Sequence, residues 1–95
     1  GALMLAGGLS VVSAETTNTT ATFDLGCTGG SPIAANAFAN DVASNAAANT
    51  SAGLAAPALF ASTDTIDLLL NTAAPTNAVI WAWALYFNAN AAESV

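Results

Sequence analysis

Few side chains in this sequence could take part in a chemical reaction. Its 95 residues include no Lys, Arg or His, so most general bases and all Schiff-base amines are missing. The single cysteine, Cys27, has no base beside it to form the nucleophilic thiolate, which favours a structural thiol. Asp64 and Asp67 could act as paired carboxylates or bind Ca²⁺, but capping of a predicted helix is the favoured interpretation. We therefore expect no catalytic residue, no metal site and no enzymatic activity.

The charge of the chain is entirely negative and sparse. Six acids give a net charge of −6, and only 6% of residues are charged while 55% are hydrophobic. Soluble chains average about 25% charged residues. Neutralising nucleic-acid phosphates requires Lys or Arg, so nucleic acid is excluded as a partner. A surface this poor in ionic groups predicts that the chain is buried in a bilayer or among other protein subunits.

Aromatic residues are concentrated in "NAVIWAWALYF", residues 77–87, and no charge occurs from residue 68 to residue 92. As a helix, this stretch is apolar on every face, which is typical of helices buried in protein or lipid. We predict that it contacts larger protein subunits or a pigment, either chlorophyll or carotenoid. The predicted contact residues are Val79, Trp81, Trp83, Tyr86 and Phe87.

The remaining patterns predict a mainly α fold within one small domain, residues 1–95. We expect short helices at about 2–13, 32–48, 64–71 and 76–92, joined by irregular Thr/Gly-rich segments. Ser31 and Pro32 resemble the capping and first residues of a helix. Residues 1–14 form an apolar targeting-like or membrane segment, residues 15–31 are extended or loop, and residues 32–95 form the helical region.

Two functions fit these expectations. The leading hypothesis is a non-catalytic accessory subunit of a large membrane complex, with a photosystem or light-harvesting assembly of the thylakoid membrane as the specific choice. There it would bridge larger subunits, contact membrane lipid and help to shape a pigment site.

The alternative is a secreted subunit of an extracellular filament or surface layer. Thr-rich residues 16–24 would then add a strand to a neighbouring subunit. Two glycosylation sequons, at Asn18 and Asn49, would matter only in that extracellular setting.

Overall fold

The computed structural model describes residues 2–62 and 64–88, and its regular elements are all strands. These residues contain six strands: β1 (Ala2–Ser13), β2 (Thr22–Gly26), β3 (Ala39–Ala43), β4 (Ala48–Phe60), β5 (Asp67–Asn71) and β6 (Val79–Asn88). They form two antiparallel three-stranded sheets. Sheet A has the order β4-β1-β6 and sheet B the order β3-β2-β5.

The predicted mainly α fold is wrong, because none of the described residues is helical. Segment 2–13 is strand β1, 32–48 contains turns and β3, and 64–71 contains β5. Segment 76–92 contains β6 up to Asn88, and residues 89–92 lie outside the described part. β1 carries two glycines, which cost about 1 kcal/mol each in a helix, and β-branched valines that favour strands. An apolar run with weak periodicity does not separate a buried helix from a buried strand.

In β6, the stretch that suggested an all-round apolar helix has a strand pattern. Large and small side chains alternate from Trp81 through Ala82, Trp83 and Ala84 to Leu85. A strand sends successive side chains to opposite faces, so this alternation gives it one bulky face and one mostly small face. A helix would distribute the same residues around its whole circumference.

The hydrophobic core lies between the two sheets. The central strands contribute most to it: Leu9 and Val11 from β1, Phe23 and Leu25 from β2, all nearly inaccessible to solvent. Phe38, in the turn before β3, joins this core against β1, where a Cβ at Gly7 would approach its ring to 2.5 Å. The core thus depends on pairing between strands that are far apart in the sequence.

Across residues 2–62 and 64–88, no helix is long and apolar enough to cross a membrane. The two segments predicted to do so form β1 and β6 instead. This finding overturns the predicted transmembrane helices and the thylakoid-membrane localisation that depended on them.

Candidate interaction surface

Strand β6 lies at an edge of sheet A. It pairs with β1 in the register Trp81 with Ser10, Trp83 with Gly8 and Leu85 with Ala6. Among the described strands, none pairs with its other side. Backbone N–H and C=O groups along a free edge are a template for pairing with another chain.

All five residues predicted to contact a partner lie on β6 and are exposed. Trp81 is 71% exposed, Phe87 64%, Tyr86 56%, Val79 48% and Trp83 47%. Four of them alternate along the strand, so they project from the face of sheet A opposite the core. Tyr86 belongs to the other face, paired in register with Met4.

Leu85 completes this face and was missed by the sequence analysis. It is 54% exposed and lies between the projecting side chains of Trp83 and Phe87. We call the set the outer row: Val79, Trp81, Trp83, Leu85 and Phe87. Its signal in the sequence was the period-two alternation, which the helical interpretation concealed.

The outer row continues onto the neighbouring strands. Phe87 is paired with Leu3 of β1, and Leu3 is paired with Leu59 of β4, which is also exposed. Aromatic side chains offer about 150–250 Å² each, so the three aromatics of the outer row, Trp81, Trp83 and Phe87, expose on the order of 350 Å² at the fractions above. Large apolar patches of this kind mark interaction surfaces.

Trp83 is held against the sheet by its neighbour in β1. A Cβ at Gly8 would lie 2.5 Å from Nε1 and 2.6 Å from Cε2 of the Trp83 ring. The ring therefore lies across the β1 backbone in space that only glycine leaves open. This contact fixes the middle of the outer row and leaves about half of the indole accessible.

Charge is absent from the strands of sheet A. β1, β4 and β6 contain no Asp or Glu, whereas Asp24, Asp41 and Asp67 lie in the strands of sheet B. The outer row therefore projects from strands without ionic groups. Covering it with a partner would bury no charged side chain of sheet A.

A buried carboxylate anchors the start of β6. Glu15, only 1% exposed, follows β1. Its Oε1 accepts hydrogen bonds from the backbone N–H groups of Thr76, Asn77 and Ala78 at 2.9, 2.8 and 3.0 Å. Its Oε2 accepts from the Asn18 N–H at 2.9 Å and from the Thr76 hydroxyl at 3.0 Å. This network fixes the turn that leads into the outer row.

The pKa of Glu15 reflects the same network. Burial of the carboxylate raises the pKa, but the hydrogen bonds from Asn18, Asn77 and Thr76 outweigh it and bring the pKa from 4.5 to about 2. Hydrogen bonds donated to a carboxylate favour its charged form. Glu15 is therefore ionised at neutral pH and serves as a fixed acceptor for the turn before β6.

A shallow groove of about 220 Å³ separates the edges of β5 and β6. Its lining is apolar: Leu25, Ile66, Leu68, Ala82, Trp83 and Ala84. Ligand pockets usually exceed about 300 Å³ and place a few polar groups to orient the ligand. Apart from the indole N–H of Trp83, this groove supplies no polar side-chain group, so it offers mainly apolar contact and lacks the polar specificity of a small-molecule site.

Cys27, one of the residues considered for chemistry, is buried, and its thiol donates to the carbonyl oxygen of Thr65 at 3.4 Å. Burial raises the pKa of this thiol, and the charges of Asp64 and Asp67 raise it further. A buried thiol with a raised pKa is a poor nucleophile.

The two aspartates, predicted to cap a helix, bind a loop instead. Asp67 accepts from the Thr28 N–H at 2.9 Å and from the Thr65 hydroxyl at 2.6 Å, and Asp64 accepts from the Thr65 N–H at 2.7 Å. Within residues 2–62 and 64–88, no group of three or more His, Cys, Asp or Glu could hold a metal ion.

The two sequon asparagines are in different surroundings. The side-chain amide of Asn18 donates to the carbonyl oxygen of Ala74. Asn49, on β4, is exposed, and its Oδ1 accepts from the Ser10 hydroxyl at 2.6 Å. Ser10 is also the register partner of Trp81, so a glycan at Asn49 would lie on the outer-row side of sheet A. Glycosylation at Asn18 and Asn49, like pigment contact by the outer row, stays a prediction.

Comparison with protein families, curated proteins and solved structures finds no significant match to this chain. The functional argument therefore rests on the surface itself. An uncharged aromatic face beside a free strand edge is suited to contact with another protein chain.

Proposed function

We propose that this chain is a non-catalytic structural subunit that assembles with other protein chains into a filament or surface layer through sheet A. The observation that carries the proposal is the outer row, whose bulky apolar side chains are exposed on an edge strand. Exposed apolar patches of this size are often functional contact surfaces.

Sheet A offers two contact surfaces of different kinds. The edge of β6 can pair with a strand, and the outer row together with Leu3 and Leu59 can pack face to face on another sheet. A subunit with two distinct contacts can build an open assembly rather than a closed pair. Its elongated shape, 52 × 23 × 22 Å, suits a repeating unit.

The observed fold changes which strand could pair with a neighbouring subunit. Residues 22–26 form β2, which pairs with β3 and β5 on its two sides. The part of the Thr-rich segment that lies in β2 is therefore already paired and cannot add to a neighbouring sheet. In this proposal β6 is the strand that pairs with the neighbour. We prefer this function to the photosynthetic accessory subunit because strands replace the transmembrane helices on which that hypothesis depended.

The test measures the mass of the purified chain by light scattering and sedimentation, with electron microscopy of the largest species. We expect concentration-dependent assemblies larger than a dimer. Trp81→Thr keeps a strand-forming residue but removes the most exposed indole, so it should shift the distribution towards the monomer.

The matched control is Leu70→Thr. Leu70 is 52% exposed, but it lies on β5 in sheet B, so its loss should leave the assembly unchanged. A wild-type chain that stays monomeric at all accessible concentrations would contradict the proposal, as would equal effects of the two substitutions.

A further inference from the structure

We infer that β6 pairs antiparallel with β6 of a second copy of this chain, about a two-fold axis at Trp83. The two copies would share one six-stranded sheet of order β4-β1-β6-β6-β1-β4. The inference rests on the proposed assembly function and names both the partner and the geometry of one of its contacts.

The strands of sheet A allow a second copy as the partner, because they are apolar and contain no acid. The chain contains no basic side chain, and the strands of sheet A contain no acid. A basic partner would be attracted to the aspartates of sheet B and would gain no ion pair along β6. The β6 strand of a second copy is equally apolar and uncharged. Pairing of the two β6 strands would therefore remove no charged side chain of either strand from water.

Of the two edges of sheet A, β6 is the better one for pairing. The other edge, β4, is irregular between Gly53 and Ala58, where its register with β1 shifts, and it contains Pro57. Proline lacks an N–H group, and bulges twist an edge away from pairing; both features protect edges in natural sheets. β6 contains no proline, and its described partner is β1 alone.

The faces of the sheet restrict the register. Opposed residues in an antiparallel pair lie on the same face, so the outer row must meet the outer row of the other copy. With the axis at Trp83, Trp81 opposes Leu85 and Val79 opposes Phe87 of the second copy. This register uses every member of the outer row, whereas an axis at Ala84 leaves Val79 without an outer-row partner.

The number of hydrogen bonds in this contact would be close to that of a typical protein interface. Antiparallel pairing of residues 79–87 would form about eight to ten main-chain hydrogen bonds, close to the ten or so of a typical protein interface. On the outer-row face, the pairs Trp81–Leu85 and Val79–Phe87 add cross-strand contacts of the kind that stabilise sheets.

Cysteine cross-linking tests the register directly. Ala82 and Ala84 lie between members of the outer row, so Ala82→Cys and Ala84→Cys leave that row intact. With the axis at Trp83, residue 82 opposes residue 84 of the second copy at about 4.5–5.5 Å between Cα atoms, within disulfide reach. Either residue and its own counterpart are diagonal neighbours at about 7–8 Å, beyond that reach.

We expect an equal mixture of the two variants to form a disulfide-linked dimer under mild copper-catalysed oxidation, while each variant alone and the wild type with its buried Cys27 do not. Circular dichroism checks that each variant folds. If Ala84→Cys does not fold, a mixture of Trp81→Cys and Leu85→Cys tests the same register, because these two positions also oppose each other.

Two results would overturn the inference. Efficient linkage of Ala84→Cys with itself would move the axis to Ala84, and no linkage in assembled material would exclude β6 pairing in this register. Sedimentation of the same samples distinguishes failure of the β6 pairing from failure of the proposed assembly function. Assemblies without cross-links would remove only this inference, whereas monomers throughout would remove the proposed function as well.

Discussion

Gly26, at the end of β2, is the position where one added methyl group should damage the fold most clearly. A Cβ there would lie 2.1 Å from the carbonyl oxygen of Ala34 and 2.6 Å from the carbonyl carbon of Ala35. Both neighbours are backbone atoms, so no side-chain rotation can relieve the overlap. To reach the 3.4 Å of ordinary contact, the Ala34 oxygen would have to retreat by 3.4 − 2.1 = 1.3 Å.

That retreat would disturb hydrogen bonds that connect β2 to the following turn. The Ala34 carbonyl accepts from the N–H groups of Cys27 at 3.2 Å and Ala37 at 3.1 Å, and Phe38 N–H donates to Leu25 at 2.9 Å. Overpacking costs about 1–3 kcal/mol, and a buried group left without its hydrogen bond costs about 1–3 kcal/mol more. We therefore expect Gly26→Ala to lower the free energy of unfolding by about 3 kcal/mol.

For a chain of this length, about 3 kcal/mol corresponds to a fall in melting temperature of roughly 12–24 °C. The assay is thermal unfolding followed by circular dichroism at matched protein concentration, because self-association shifts apparent stability.

Gly53→Ala is the matched control: nothing lies within 4 Å of its added Cβ. A compatible glycine-to-alanine change costs nothing or stabilises by about 0.4–1 kcal/mol. Equal melting temperatures for Gly26→Ala and wild type would refute the packing around β2 described above.

Three further predictions concern the interior. Because the pKa of Glu15 is lowered from 4.5 to about 2, its contribution to stability is fully present above about pH 5 and is lost as the pH falls through 4.5 towards 2. Urea midpoints should fall over that range, and less steeply in Glu15→Gln, which should also be less stable than wild type at pH 7. Phe23 is fully buried, so Phe23→Ala should lower the free energy of unfolding by about 3–5 kcal/mol, as measured by urea unfolding. Cys27 should resist a thiol reagent at pH 7 in the folded chain and react once the chain is unfolded, because burial raises its pKa.

Each of these predictions has its own control. Phe87→Ala removes a ring that is 64% exposed and should change unfolding far less than Phe23→Ala does; similar losses would contradict the assigned core. A cysteine introduced at the exposed Ala82 should react at once, and equal labelling of Cys27 would show that its thiol is accessible. If Glu15→Gln kept the full pH dependence, the acid sensitivity would have to come from other carboxylates such as Asp67, whose pKa is also lowered through hydrogen bonds from Thr65 and Thr28.

The sequence indicated where the candidate surface lies along the chain, but it did not indicate which residues share one face. Two tryptophans, a tyrosine and a phenylalanine within seven uncharged positions indicated a contact region under any secondary structure. Leu85 was missed, and Tyr86 was grouped with residues of the opposite face, because a helical period of 3.6 and a strand period of two assign residues to faces differently.

Composition alone established the chemical limits of this chain. Without Lys, Arg or His, it can form no ion pair between side chains and has few groups for catalysis, whatever its fold. The tertiary structure decided that the apolar segments are strands, that β6 lies at an edge and that its bulky side chains face outward. These properties depend on which strands pair, and the partners of β1 residues lie 37–58 residues further along the chain in β4 and 66–86 residues further in β6. Such pairing is selected by the packing of the whole core, so local periodicity in an alanine-rich, uncharged sequence does not reveal it.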